Sequence, residues 1–121
     1  MGTAIAGAVA HRAGLAAEAQ VTADYMRRGM EILAQRWRGA GGEIDLVARH
    51  RGEVIFVEVK KSRSFAAAAA RLSRHQIRRL QDAACEFLDG QPLGALTPMR
   101  FDVALVDAQG RIEVLENALG P

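Results

Sequence analysis

Glu43, Asp45, Glu58 and Lys60 are the residues whose types and spacing can do chemistry. Side chains alternate along a strand, so in Gly42-Glu43-Ile44-Asp45-Leu46-Val47 the two carboxylates share one face and Ile44 and Leu46 the other. In Val54-Ile55-Phe56-Val57-Glu58-Val59-Lys60, Glu58 and Lys60 share a face, with Ile55, Val57 and Val59 opposite. A two-residue turn at Arg51-Gly52 pairs Asp45 with Glu58 and Glu43 with Lys60. A four-residue loop, His50–Glu53, gives the same register, and an odd loop length breaks it. Directly opposed Cβ atoms lie about 5 Å apart. Two carboxylates that close repel, and beneath a covering helix they also lose water. A hard divalent cation, Mg²⁺ or Mn²⁺, resolves the conflict.

The elements that must position this group follow from periodicity and punctuation. A helix is predicted from about Ala13 to Arg28, with Leu15, Val21, Thr22, Tyr25 and Met26 as its apolar positions. Arg27 and Arg28 sit at its C-terminal end, and Gly29 ends it. Strands are predicted at about Glu31–Arg38, Glu43–Arg49 and Val54–Lys61, the first two separated by Gly39-Ala40-Gly41-Gly42. The alanine run Ala66–Ala70 reads as part of a loop. A second helix covers about Ser73–Leu88, with Ile77, Leu80, Ala84, Phe87 and Leu88 on one face. Gly90, Pro92, Gly94 and Pro98 mark a surface connection. Two final strands run at about Arg100–Val106 and Arg111–Leu115.

Glu18 lies three or four residues from Leu15, Val21 and Thr22, on the apolar face of the first helix. A carboxylate there either points to the sheet, where an isolated charge is costly, or sits exposed at the edge of the stripe.

These residues carry a family resemblance. Asp45, followed by Glu58-Val59-Lys60 at the end of an apolar strand, resembles the PD-(D/E)xK nuclease signature. Gly42-Glu43-Ile44-Asp45-Leu46-Val47 with Phe56-Val57-Glu58-Val59-Lys60 resembles, more narrowly, the YraN or UPF0102 family of predicted endonucleases. That family is similar in turn to archaeal Holliday-junction resolvases. The resemblance runs from Gly14-Leu15-Ala16-Ala17-Glu18 to Arg100-Phe101-Asp102-Val103. It implies an α/β fold with a restriction-endonuclease-like αβββαβ core, a mixed central sheet flanked by helices. It implies Asp45 and Glu58 as metal ligands, Glu18 as a further acidic ligand, Lys60 beside the reacting phosphate, and Gln76 in a secondary place near the site. Glu43 matches the family's GEID motif as a ligand, a partner of Lys60 or a structural carboxylate. Three positions depart from the family. It usually has Asn where Arg36 stands, Gly and Pro in the segment held by Ala66–Ala70, and Lys where His75 stands.

The chemistry fits phosphodiester hydrolysis. A carboxylate-bound Mg²⁺ acidifies and orients a water while neutralising charge, and the Lys60 ammonium holds that water or stabilises the phosphorane. The alternative role for Lys60 is a salt bridge to Glu43 or Glu58.

Charge is distributed unevenly. Lys60, Lys61, Arg63, Arg71, Arg74, Arg78 and Arg79 fall in a stretch, Lys60 to Gln81, that contains no Asp or Glu. The net charge of only +2 hides this basic region. Ordinary solvation of a helix face tolerates acids among the bases, so their absence favours phosphate contacts with DNA from Lys61, Arg63, Arg71, Arg74, Arg78 and Arg79. Such contacts grip the backbone and carry no sequence information.

The remaining features bound the class. A chain of 121 residues, half hydrophobic and a quarter charged, suits one globular domain, taken as 13–121 after a flexible or helical extension at 1–12. That extension is apolar but lacks the basic start of an export signal. No stretch approaches a membrane span. A lone Cys85 excludes an internal disulfide, points to a cytoplasmic setting, and reads as inert packing. Trp37 reads as core or interface, and His11 and His50 as polar surface. No GxGxxG, Walker A, CxxC or nucleophile elbow occurs. Two functions are expected: a metal-dependent endonuclease for branched or structured DNA, or a non-catalytic nucleic-acid-binding module on the same fold. A homodimer follows only by analogy with resolvases that pair two sites across a junction.

Overall fold

The computed structural model describes residues 2–70 and 72–118, with side chains from residue 15 onward. The chain runs α1 (Gly2–Arg27), β1 (Glu31–Arg38), β2 (Glu43–His50), β3 (Glu53–Lys61), α2 (Phe65–Ala69), α3 (Arg74–Asp89), β4 (Met99–Val106) and β5 (Ile112–Leu115), with a short 3-10 turn at Gly94–Leu96. One open sheet has the order β1-β2-β3-β4-β5. β3 and β4 are parallel, joined by the crossover through α2 and α3, and the other neighbours are antiparallel. This is a mixed α/β architecture with helices on both sheet faces.

The β2–β3 hairpin turns on two residues. Arg51 and Gly52 both have positive φ, 52° and 82°, the twist that suits a two-residue hairpin. The resulting register pairs His50 with Glu53 and Leu46 with Val57, as the sequence predicts.

Each sheet face has its own core. On one face Ala17, Val21 and Tyr25 of α1 pack on Leu46, Ala48, Ile55, Val57, Ala104 and Val106. On the other, Leu80, Ala83, Ala84 and Leu88 of α3 pack on Ile44, Val47, Val54, Phe56 and Phe101. Residues 54–57 of β3 and 101–106 of β4 are buried continuously because these strands are covered on both sides. Phe87 joins the α3 core edge-to-face with both Trp37 and Phe56 at 5.4 and 5.8 Å, which gives Trp37 a packing role.

Several expectations are corrected. Ile44 and Leu46 do not share a face: Ile44 packs beneath α3 and Leu46 beneath α1. Of the apolar positions expected on α1, Val21, Thr22 and Tyr25 are buried and Leu15 and Met26 are exposed, while Ala17 joins the contact face. The alanine run is helical, since alanine is the best helix former, Ser64 caps the turn and Ala68 buries against Val103 and Leu105. Cys85 is exposed because it lies one position beyond Ala84, off the buried stripe. α3 starts at Arg74, with Ser73 as its N-cap.

Candidate active site

The sheet opens where the carboxylates lie. The β2–β3 ladder stops at the pair Leu46–Val57, one step before Asp45 and Glu58. In place of the next ladder bond, the Asp45 carboxylate reaches across and its Oδ2 accepts from the backbone N of Val59 at 2.8 Å. Glu58 projects to the α3 side, where its Oε1 accepts an ion-paired bond from Lys60 Nζ at 3.2 Å. Both of these side chains are largely buried, at 13% and 15% exposure. A pocket of about 260 Å³ opens over Glu58, lined by Gly42, Glu43, Asp45, Glu58, Gln76, Arg79 and Leu80, and Lys60 adjoins it through its bond to Glu58.

Glu18 joins from α1. Its carboxyl is close enough to Asp45 to be perturbed by it, and its Oε2 lies 3.8 Å from Arg36 Nε. Glu43 is held between two guanidinium groups, Arg36 at 3.5 Å and Arg38 at 2.9 Å. It pairs with arginines rather than with Lys60, whose partner is Glu58.

Electrostatics mark the group. Burial raises the Glu58 pKa to about 7, the Asp45 charge adds to the rise, and the Lys60 ammonium offsets part of it. Burial also raises Asp45, against the opposing bond from Val59 and the charge of Lys60. Glu18 is raised by burial and then by Asp45, with Arg36 pulling the other way. Three carboxylates drawn from α1, β2 and β3 thus share a desolvated, mutually repelling environment.

Hard, desolvated carboxylate oxygens are the donor chemistry that a divalent cation takes, so Asp45, Glu58 and Glu18 are the residues that could hold one. They are not gathered as a finished ligand set. Among the described residues no three His, Cys, Asp or Glu side chains are grouped as for a metal ion. One Asp45 oxygen is bound to Val59 and Glu58 is bound to Lys60, so both are partnered without an ion.

Helix α3 supplies the far wall. Ser73 and Gln76 form a capping box: Gln76 N donates to Ser73 Oγ and Ser73 N donates to Gln76 Oε1, both at 3.2 Å. Gln76 therefore lines the pocket and caps the helix at once. Arg79 reaches the pocket, while Arg74 and Arg78 are exposed on the same helix. Arg63 is exposed after β3, Lys61 ends that strand half-buried, and Arg71 lies outside the described residues.

Some contributors carry no obvious sequence signal. Arg36 and Arg38 ring the acidic group from β1. Glu86 of α3 holds the loop beside the pocket, its Oε2 accepting from Ala40 N at 2.7 Å and its Oε1 from Gly41 N at 2.6 Å. A Cβ at Gly39 would collide with the Glu86 carboxylate and with Trp37, which explains a glycine there.

The model of the uncharacterised protein family UPF0102 matches residues 17–106, from the contact face of α1 to the end of β4. The chain belongs to the UPF0102 family. A UPF0102 protein of Cereibacter sphaeroides is 62% identical over 114 residues, 94% of this chain and 97% of its own length. A UPF0102 protein of Ruegeria pomeroyi is 60% identical over 110 residues, 91% of this chain and 89% of its own. The UPF0102 match spans Glu18, Glu43, Asp45, Glu58, Lys60 and Gln76 together. Among the described residues no helix is long and apolar enough to cross a membrane.

Proposed function

We propose that this UPF0102 protein is a metal-dependent endonuclease of the PD-(D/E)xK type that hydrolyses DNA phosphodiester bonds, with a preference for branched or structured DNA. The observation that carries this reading is the opening between β2 and β3. There Asp45, Glu58 and Lys60 meet beneath a pocket, with Glu18 close to Asp45 and Arg79 on the opposite wall. The three carboxylates are desolvated and raised in pKa despite the bonds that Asp45 and Glu58 make, a condition that a bound cation would relieve.

Asp45 and Glu58, with Glu18, would hold Mg²⁺ or Mn²⁺, which supplies Lewis-acid activation of water and charge neutralisation. The chain's own groups do the rest. Lys60 Nζ, steered by its bond to Glu58, keeps further N–H donors for a phosphate oxygen that gains charge in the transition state. Arg79 holds the phosphodiester against the pocket wall, and Arg74 and Arg78 extend the cationic surface along α3 for neighbouring phosphates. Leu80 narrows the apolar side of the pocket and limits competing water.

One observation favours a second reading, a DNA-binding module without catalysis: Asp45 and Glu58 are each satisfied by protein donors. Incubation with duplex, flap and four-way-junction DNA, with Mg²⁺, Mn²⁺ or chelator, separates the two. Cation-dependent cleavage supports the endonuclease. Binding with no cleavage of any of these DNAs under either metal supports the module.

A further inference from the structure

Arg36 has φ of 51° in the middle of β1, the left-handed region that a side chain with a Cβ rarely enters. Its consequences are visible on β1 and on its neighbour β2. Gln35 pairs with Leu46 and Trp37 pairs with Ile44, so Arg36 stands at the level of Asp45. Residues two apart on a regular strand face the same way, yet Leu46 packs beneath α1 while Ile44 and Trp37 pack beneath α3. The β1–β2 ribbon therefore rolls over at Arg36 and Asp45. Asp45 is neither above nor below the sheet. It lies in the gap between β2 and β3, with its carboxylate on Val59 N.

The side chain at the same position completes the arrangement. The guanidinium, 42% exposed, lies 3.8 Å from Glu18 and 3.5 Å from Glu43, carboxylates that come from α1 and β2. A strained backbone persists where the surroundings over-determine it, and such positions cluster at functional sites.

We infer that Arg36 is the positioning residue of the carboxylate site: its left-handed backbone rolls the ribbon so that Asp45 enters the gap, and its guanidinium is the resident counter-cation of Glu18 and Glu43, for which a divalent ion must compete. The inference rests on the proposed metal site and deepens it. It assigns Arg36 a restraining role, in which the protein keeps its acidic group neutralised until a cation and substrate displace the arginine.

The two roles separate by substitution. Glycine and asparagine tolerate positive φ, lysine keeps a cation, and valine resists the left-handed backbone. The experiment measures thermal melting and Mn²⁺ affinity by calorimetry on the full chain, with no DNA. Arg36→Gly and Arg36→Asn, which lose only half-exposed ion pairs, are expected to melt within a few degrees of the parent, and Arg36→Val, which loses the same pairs, several degrees below Arg36→Asn. Arg36→Asn is expected to bind Mn²⁺ about two- to fivefold more tightly, the scale of a half-exposed ion pair, and Arg36→Lys close to the parent. A valine variant as stable as the asparagine variant overturns the backbone role. A parent that binds Mn²⁺ and an asparagine variant that binds no more tightly overturn the counter-cation role while leaving the metal site standing. A parent and variants that bind no Mn²⁺ overturn both the counter-cation role and the metal reading beneath it.

Discussion

The Asp45 carboxylate and the Val59 backbone nitrogen, 2.8 Å apart, join β2 to β3 just beyond the end of their ladder. One oxygen thus does structural duty while the carboxyl as a whole stays desolvated and next to Glu58 and Glu18. Asparagine keeps an acceptor for Val59 and removes the charge. Asp45→Asn is therefore expected to leave the metal-free protein as stable as the parent or up to about 1 kcal/mol more stable, because a repulsive charge is lost. Mg²⁺ or Mn²⁺ is expected to raise the melting temperature of the parent, and Asp45→Asn to blunt that rise. Parallel melting curves with and without metal check both. An unfolded Asp45→Asn protein, with no metal response in the parent, would make the carboxylate structural.

Glu58 dictates a pH dependence. Its folded pKa of about 7 lies above the ordinary 4.5, so between these values the folded state binds more protons than the unfolded state. Stability that is fully present below the ordinary value is then lost as pH rises through the folded one. The metal-free protein is expected to lose about 1–2 kcal/mol between roughly pH 5 and 7, and Glu58→Gln to flatten that slope. Urea titrations across this range measure it. A stability that climbs with pH over the same interval would mean Glu58 is better solvated than its burial indicates.

Glu86 is expected to matter without touching the pocket. Glu86→Ala removes a charged acceptor from two backbone N–H groups, at a cost of about 1–3 kcal/mol. It should also raise hydrogen exchange at Ala40 and Gly41. Unchanged exchange at both amides would show that the loop is held by its glycine-permitted packing alone.

Much of this arrangement is legible in the residues. The alternation in β3 and the Arg51-Gly52 turn fix the register that brings Asp45 level with Glu58. The spacing of Leu80, Ala84, Phe87 and Leu88 announces α3. The roll of the β1–β2 ribbon is not legible, because Arg36 in a left-handed conformation has no side-chain signature. An Asn at this position would have signalled it. The same blind spot hides the split between Ile44 and Leu46, which strict alternation places together. Leu15 misleads because apolar periodicity does not say which of two adjacent stripes meets the sheet; small Ala17 allows close approach of α1 and wins. Glu86 is invisible because its partners are backbone groups about 45 residues away.

Under the proposed function, the basic face of α3 grips the DNA backbone. Arg79→Ala, Arg74→Ala and Arg78→Ala should each lower the salt slope of DNA binding by about one unit, whatever the sequence of the DNA. Fluorescence titrations at several salt concentrations read the slopes. Slopes equal to the parent's would move the DNA to another surface.

Single-turnover cleavage by Lys60→Ala, on the DNA the parent cuts best and with DNA affinity measured alongside, tests the central claim most directly. Lys60 is bonded to Glu58 beside the pocket, and in the proposed reaction its contribution belongs to the transition state. The expected result is affinity within a few-fold of the parent and cleavage reduced by about a hundredfold or more. Cleavage at the parent's rate, with the same metal and the same affinity, would contradict the assignment of this carboxylate–lysine opening as the site of phosphodiester hydrolysis.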